Sequence, residues 1–347
     1  MKAENVFLPL KKGMNEQDVL CLFGLAHVEF LRPREKLLLT DMLGSASRIF
    51  ELSLTDLAGL LGRKLFTRLW RPEEILRAAE TTRKLLTDGG MHSIFYWDST
   101  YPPQLREIYD PPVTLFVRGT LPDNGGSLVG IVGTRFPTGA ARTAAFRLGF
   151  DLGSQGIGVV SGLARGIDTE AHEGCTEAGG RSVAVLGNGI DIVYPVSSRA
   201  AGMMILARGG ALISEYPPGV PPLQHHFPAR NRIISGLCRA VVVVQAPERS
   251  GALITAEYAL DQGRDLWVHS AGVVGSSGAG THRLMESGAP VLSSAADLMR
   301  DWGVTPSDRG AAFISSDAST VERLARNLKE EINGTCALRA GELYWRG

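Results

Sequence analysis

Four consecutive valines, Val241, Val242, Val243 and Val244, leave a strand no polar face to offer to water. Successive side chains of a strand point to opposite sides, so such a run belongs at the centre of a sheet that helices cover on both faces. Further apolar runs at 128–132, 157–160, 182–186, 211–214, 265–269 and 290–292 alternate with helical stretches, and the valine run itself extends over 240–245. The alternation predicts an α/β chain, an extended Rossmann-like fold with a mainly parallel sheet and helices on both faces, over residues 91–302. Earlier runs at 93–97 and 114–117 read as strands that bridge to this sheet. The loop 121–126, rich in Gly, Pro, Asp and Asn, reads as the boundary.

The ends of these strands carry the chemistry. After 157–160 comes Ser161-Gly162-Leu163-Ala164-Arg165-Gly166-Ile167-Asp168, ahead of a helix that begins near Thr169. The glycines permit a tight turn and close approach of a ligand, the first helical amides attract an anion, and Arg165 adds a mobile charge. A second turn, Gly133-Thr134-Arg135, follows 128–132, with Pro137 at an expected first helical position. On parallel neighbours both turns open at the carboxyl edge of the sheet, so Arg135 and Arg165 are expected to face one ligand. Arg230, Asn231 and Arg232 open a helix that runs to Gly236 and offer planar donors for phosphate oxygens and base edges. Arg249-Ser250-Gly251 follows the valines and starts the helix 252–261 with hydroxyl and backbone donors. Asp191 and Tyr194, in another strand-end loop, are expected to floor the pocket.

Ahead of the sheet, residues 1–90 read as a small helical domain, SAM-like or helix-hairpin-helix-like. Its helices at 16–23, 33–43, 55–61 and 72–88 end at Gly24, Gly44, Gly62 and Gly89, and Pro33 and Pro72 start two of them. Without a paired-glycine hairpin, interaction or spacing is its expected role rather than DNA binding. Residues 303–347 read as a short helical tail, with one amphipathic helix at 320–330.

Lys+Arg and Asp+Glu are both 36, so the formal net charge is zero and no bulk field draws in a polyanion. Any such ligand has to be held by a local arginine cluster. Cysteines at 21, 175, 238 and 336 form no C-x-x-C pair, which argues against a zinc site or a disulfide framework and fits a reducing cytoplasm. Neither a signal-peptide pattern nor an apolar run of about 18 residues occurs. Ser161, Ser250 and Thr255 lack a Gly-x-Ser-x-Gly setting and a partnered histidine, so a catalytic serine is not expected. His172 reads as a structural hydrogen-bonder, and Asp168 as a carboxylate that complements the helix dipole or fixes Arg165.

Taken in order, Ile131-Val132-Gly133-Thr134-Arg135, the run Val160 to Asp168 with Ala171-His172, Ser214-Glu215-Tyr216-Pro217, Phe227-Pro228-Ala229-Arg230-Asn231-Arg232 and Ser250-Gly251-Ala252-Leu253-Ile254-Thr255-Ala256 resemble the DNA-processing protein A family, also called Smf. The resemblance implies a cytoplasmic homodimer that binds single-stranded DNA and helps load RecA recombinase during natural transformation, with no catalysis and no cofactor. Carried over by position, Arg135, Ser161, Gly162, Arg165, Gly166, Arg230, Asn231, Arg232, Ser250 and Gly251 would line its phosphate pocket, beside Gly133 and Thr134.

The sequence departs from the family at Gln245, where a glutamate is usual, at Ala140-Ala141, and at Trp267-Val268-His269-Ser270-Ala271-Gly272. The winged-helix domain of many members reads as missing or vestigial. The rival reading is an enzyme, a nucleotide phosphoribohydrolase of the lysine-decarboxylase-like Rossmann type, on the strength of Thr255 and Glu257 after Ser250-Gly251.

Overall fold

The computed structural model describes residues 15–122 and 127–305, and the backbone of 336–339 and 342–345; the helix expected at 320–330 lies outside the described residues. Five helices come first: α1 (Glu16–Ala26), α2 (Pro33–Leu43), α3 (Ser47–Phe50), α4 (Leu54–Leu61) and α5 (Pro72–Asp88). Their starts are fixed by side chains. Asn15 accepts the amide of Asp18 at 2.8 Å, Ser53 and Asp56 form a reciprocal box, and Pro33 and Pro72 occupy first turns.

The sheet region follows as β1 (His92–Phe95), α6 (Pro103–Arg106), β2 (Thr114–Gly119), β3 (Leu128–Val132), α7 (Gly139–Ser154), β4 (Gly158–Ser161), α8 (Ile167–Glu177), β5 (Ser182–Leu186), α9 (Arg199–Ala207), β6 (Ala211–Ser214) and α10 (His226–Gly236). It continues through β7 (Ala240–Val243), α11 (Gly251–Asp261), β8 (Asp265–His269), α12 (Ala279–Glu286), β9 (Val291–Leu292) and α13 (Ala295–Asp301). Near the carboxyl end, β10 (Cys336–Arg339) and β11 (Glu342–Trp345) pair as an antiparallel hairpin.

The main sheet has the order β1-β2-β6-β5-β4-β3-β7-β8-β9. From β6 to β9 every pairing is parallel, while β1, β2 and β6 pair antiparallel at one edge. The strand order reverses between β3 and β7, and there the loops after the two strands diverge to opposite faces and leave a crevice. The four valines fill the centre as expected, each with no exposed surface, and each contributes about 1.5–3 kcal/mol by leaving water.

Three expectations change. The segment 303–347, expected as a helical tail, carries the β10–β11 hairpin. Pro137 is not a helical residue: Thr138 caps α7 by accepting the amide of Ala141 at 3.2 Å, so the helix starts two residues later. Nor does the loop 121–126 divide two cores, since β2 before it pairs with β6 after it. The helical segment shares a core with one face of the same sheet. Phe23 of α1 meets Phe95 and Phe116 at ring distances of 5.3 and 6.3 Å, and Leu22, Leu25 and Leu39 join Leu186 and Leu212 in one buried cluster.

Candidate nucleic-acid interface

The crevice at the strand-order reversal is a cavity of about 590 Å³. Three segments predicted from sequence line it: Gly133, Thr134 and Arg135 after β3, Arg230 and Asn231 on α10, and Ser250 and Gly251 at the start of α11. The turn after β3 is held to the loop after β7 by Gln245. Its carbonyl accepts the amide of Thr134 at 2.7 Å, its Oε1 accepts the amide of Thr138 at 2.8 Å, and its Nε2 donates to the Thr138 hydroxyl at 3.3 Å. An amide side chain at 245 can both donate and accept here, which a carboxylate cannot. Asn231 joins α10 to α11 by donating to the Gly251 carbonyl at 3.2 Å, and Ser250 caps α11 through the amide of Ala252.

The segment 161–168 behaves differently from an open phosphate cradle. Asp168 Oδ2 accepts the amides of Gly162 and Ala164 at 3.1 and 3.3 Å, the amide of Ile167 goes to Thr134 O, and the Ser161 hydroxyl is buried against Ile131 O. These donors are already used within the protein. Asp168 therefore braces the turn and faces Arg230 rather than fixing Arg165. Burial raises its pKa, while the Arg230 charge and the turn amides act the other way. Gly162 is required because a Cβ there would lie 2.6 Å from the Arg230 guanidinium, and Gly166 because its φ is +83° and a Cβ would lie 2.5 Å from Thr134 O.

Arg230 is buried behind the cavity wall, donating to Gly162 O at 3.0 Å and to Val185 O. Burial lowers its pKa to about 10, with Arg135 repelling it and Asp168 opposing the loss of charge, so it stays a cation at neutral pH. Arg135 is exposed at the cavity, whereas Arg165 does not line it and is exposed with its guanidinium 5.7 Å from the ring centre of Phe136, which does. Arg232 does not join them. Two positions along a helix turn a side chain by roughly 200°, and Arg232 points to the far side of α10. There it is buried, with Glu215 Oε1 at 2.7 Å and Asp110 Oδ2 at 3.7 Å. Burial alone would lower its pKa, yet those carboxylates raise it above the ordinary value.

Phe136, which sequence reasoning did not single out, also lines the cavity, as do Arg249 and Phe227, which it placed in motifs but not among the pocket residues. Arg249 directly precedes the Ser250-Gly251 pair, and a charged residue in the loop after a central strand was the available signal. Tyr194 does line the cavity, 5.8 Å from Phe227, whereas Asp191 ties down the neighbouring loop by accepting the amide of Gly219 at 2.9 Å. Thr255 lines the cavity but Glu257, two residues along α11, is exposed and outside it, so the pair needed for glycosidic cleavage does not converge. Among the described residues, no group of three or more His, Cys, Asp or Glu is arranged to hold a metal, and no helix is long and apolar enough to cross a membrane.

The family description "DNA recombination-mediator protein A" matches residues 92–303, the segment that contains every strand of the sheet and all of the cavity. The chain belongs to this family. DNA processing protein DprA of Streptococcus pneumoniae is 40% identical over 205 residues, which are 59% of this chain and 72% of that protein. Protein Smf of Synechocystis is 42% identical over 213 residues, 60% of this chain and 53% of its own length, and protein Smf of Escherichia coli is 37% identical over 253 residues, 70% and 67%. The X-ray structure of S. pneumoniae DprA superposes with a TM-score of 0.66 at 30% identity, covering 83% of this chain and 98% of that one. A DprA structure from Helicobacter pylori, described for its single-stranded DNA binding mode, superposes with a TM-score of 0.54 at 26% identity, covering 61% of this chain and 95% of that one. The fold of this chain is thereby that of the DprA structures.

Proposed function

We propose that this DprA-family chain binds single-stranded DNA by its phosphates in the cavity between β3 and β7, and thereby assists the loading of RecA recombinase in natural transformation. The observation that carries the reading is the convergence of Arg135, Arg230 and Arg249 on one recess whose single buried carboxylate, Asp168, is spent on the turn behind it. In a chain of zero net charge this is local positive potential suited to a polyanion. Phe136, Tyr194 and Phe227 give the recess aromatic walls, and bases stack on such walls whatever their identity. A duplex keeps its bases paired and its backbone stiff, whereas a single strand bends phosphates into a recess and turns bases onto the rings.

Capture of a long strand by so small a recess favours two recesses on one particle, and a homodimer is the simplest such particle. A cytoplasmic location follows from the same DNA and RecA assignments. Equilibrium titration of single-stranded and duplex oligonucleotides of equal length tests the reading. A clear preference for the single strand is expected, and equal or tighter duplex binding would refute it.

A further inference from the structure

We infer that the loop between α4 and α5, residues 62–71, is a second contact for the same single strand, one that lies on the helical segment and engages DNA leaving the arginine recess. The inference rests on the single-strand reading of the recess. The loop reads Gly-Arg-Lys-Leu-Phe-Thr-Arg-Leu-Trp-Arg, with four cations and no carboxylate in ten residues of a chain that is neutral as a whole. Its backbone is irregular but anchored. Trp70 donates its indole N–H to Leu52 O at 3.0 Å and packs against Phe50 and Phe30 at 5.6 and 5.8 Å, and Leu65 is partly buried in the same core. Arg63 is fixed by Glu35 at 2.6 Å and the Phe30 carbonyl at 3.1 Å.

With those residues turned inward, Phe66 and Leu69 are turned out, at 89% and 65% exposure, and Lys64 and Arg68 on either side of Phe66 are exposed and have no ion pair among the described residues. An exposed aromatic ring between two free cations is the combination that holds a single strand: phosphates on the cations and a base on the ring. Charge complementarity therefore favours a polyanion over a protein partner for this patch.

The helical segment adjoins the recess across one loop. The corner between α1 and α2, to which Arg63 is tied, faces the loop 215–228 across a cavity of about 320 Å³, with Leu31 and Pro33 on one wall and Pro217 and Val220 on the other. The other side of that loop, at Pro222, Gln224 and Phe227, lines the arginine recess. One loop thus separates the recess from the helical segment.

The test compares an oligonucleotide of about six nucleotides, enough for the recess, with one of about forty, against the wild-type chain, Phe66→Ala and the double variant Lys64→Ala/Arg68→Ala. The short strand should bind all three proteins alike, which also reports that the recess is intact. The long strand should bind each variant about tenfold more weakly, and the double variant should lose about 1.4 from the salt slope, two contacts at about 0.7 each. If the wild-type chain binds neither length, the single-strand reading itself fails. If it binds both and the variants bind the long strand as tightly as wild type, the second contact alone is overturned.

Discussion

Asp168 and Arg230 grip the two sides of one residue: the carboxylate of Asp168 takes the Gly162 amide at 3.1 Å while the guanidinium of Arg230 donates to the Gly162 carbonyl at 3.0 Å. The buried charges neutralise one another across the backbone they hold. The Asp168→Asn variant keeps the shape but leaves Arg230 a buried cation without its counter-charge. A stability loss of about 3 kcal/mol in urea denaturation is expected, with the affinity of the folded protein for DNA undiminished. Weaker DNA binding at unchanged stability would mean that Asp168 meets the ligand directly.

Arg232 provides the contrasting case, because it belongs to the same six-residue motif yet serves the fold. Its side chain is 8% exposed and is held by Glu215 and Asp110, so Arg232→Ala strands two carboxylates. Denaturation should report a loss of about 3–5 kcal/mol, while oligonucleotide affinity measured below the melting range stays within about twofold. A large loss of affinity from a protein of normal stability would return Arg232 to the binding site.

His172 gives the fold an acid-sensitive point. Ser182 donates its hydroxyl to Val159 O at 3.0 Å, so it accepts from His172 Nδ1–H at 2.7 Å, and the buried Nε2 is left as a bare lone pair with no hydrogen-bond partner. Burial first, and the Arg230 charge second, push the imidazole down to about 3. The unfolded residue titrates near 6.5, so between these values the unfolded state binds a proton that the folded state refuses. The stability is therefore complete above about pH 6.5 and falls as the pH drops toward 3, at up to about 1.4 kcal/mol per pH unit. His172→Gln removes this dependence, and its deficit against wild type should shrink between pH 7 and 5 in a denaturation series. Parallel pH curves for the two proteins would contradict the assignment.

What the sequence made legible is what depends on local pattern. The valines, the strand-end glycines and the order of the arginine turns determine the sheet and the edge at which the cavity opens. Hidden from it were matters of direction and of competition for donors. Arg230 and Arg232 look equivalent in the chain, but helical geometry sends one to the cavity and the other to Glu215. The amides of 161–168 look free until Asp168 is seen to occupy them. The antiparallel pairing of β2 with β6 joins residues about 100 apart, which no local run of sequence specifies.

The central claim, that arginines in the crevice hold DNA phosphates, is tested most directly by the salt dependence of single-strand binding for wild type and for Arg135→Ala, with Arg249→Ala as the second variant. Both residues are exposed at the cavity, so neither substitution should disturb the fold. Each is expected to weaken binding of every sequence about tenfold or more and to reduce the salt slope by about 0.7, since a phosphate contact carries no base information. Affinity and slope that match wild type in both variants would show that the crevice does not hold the strand.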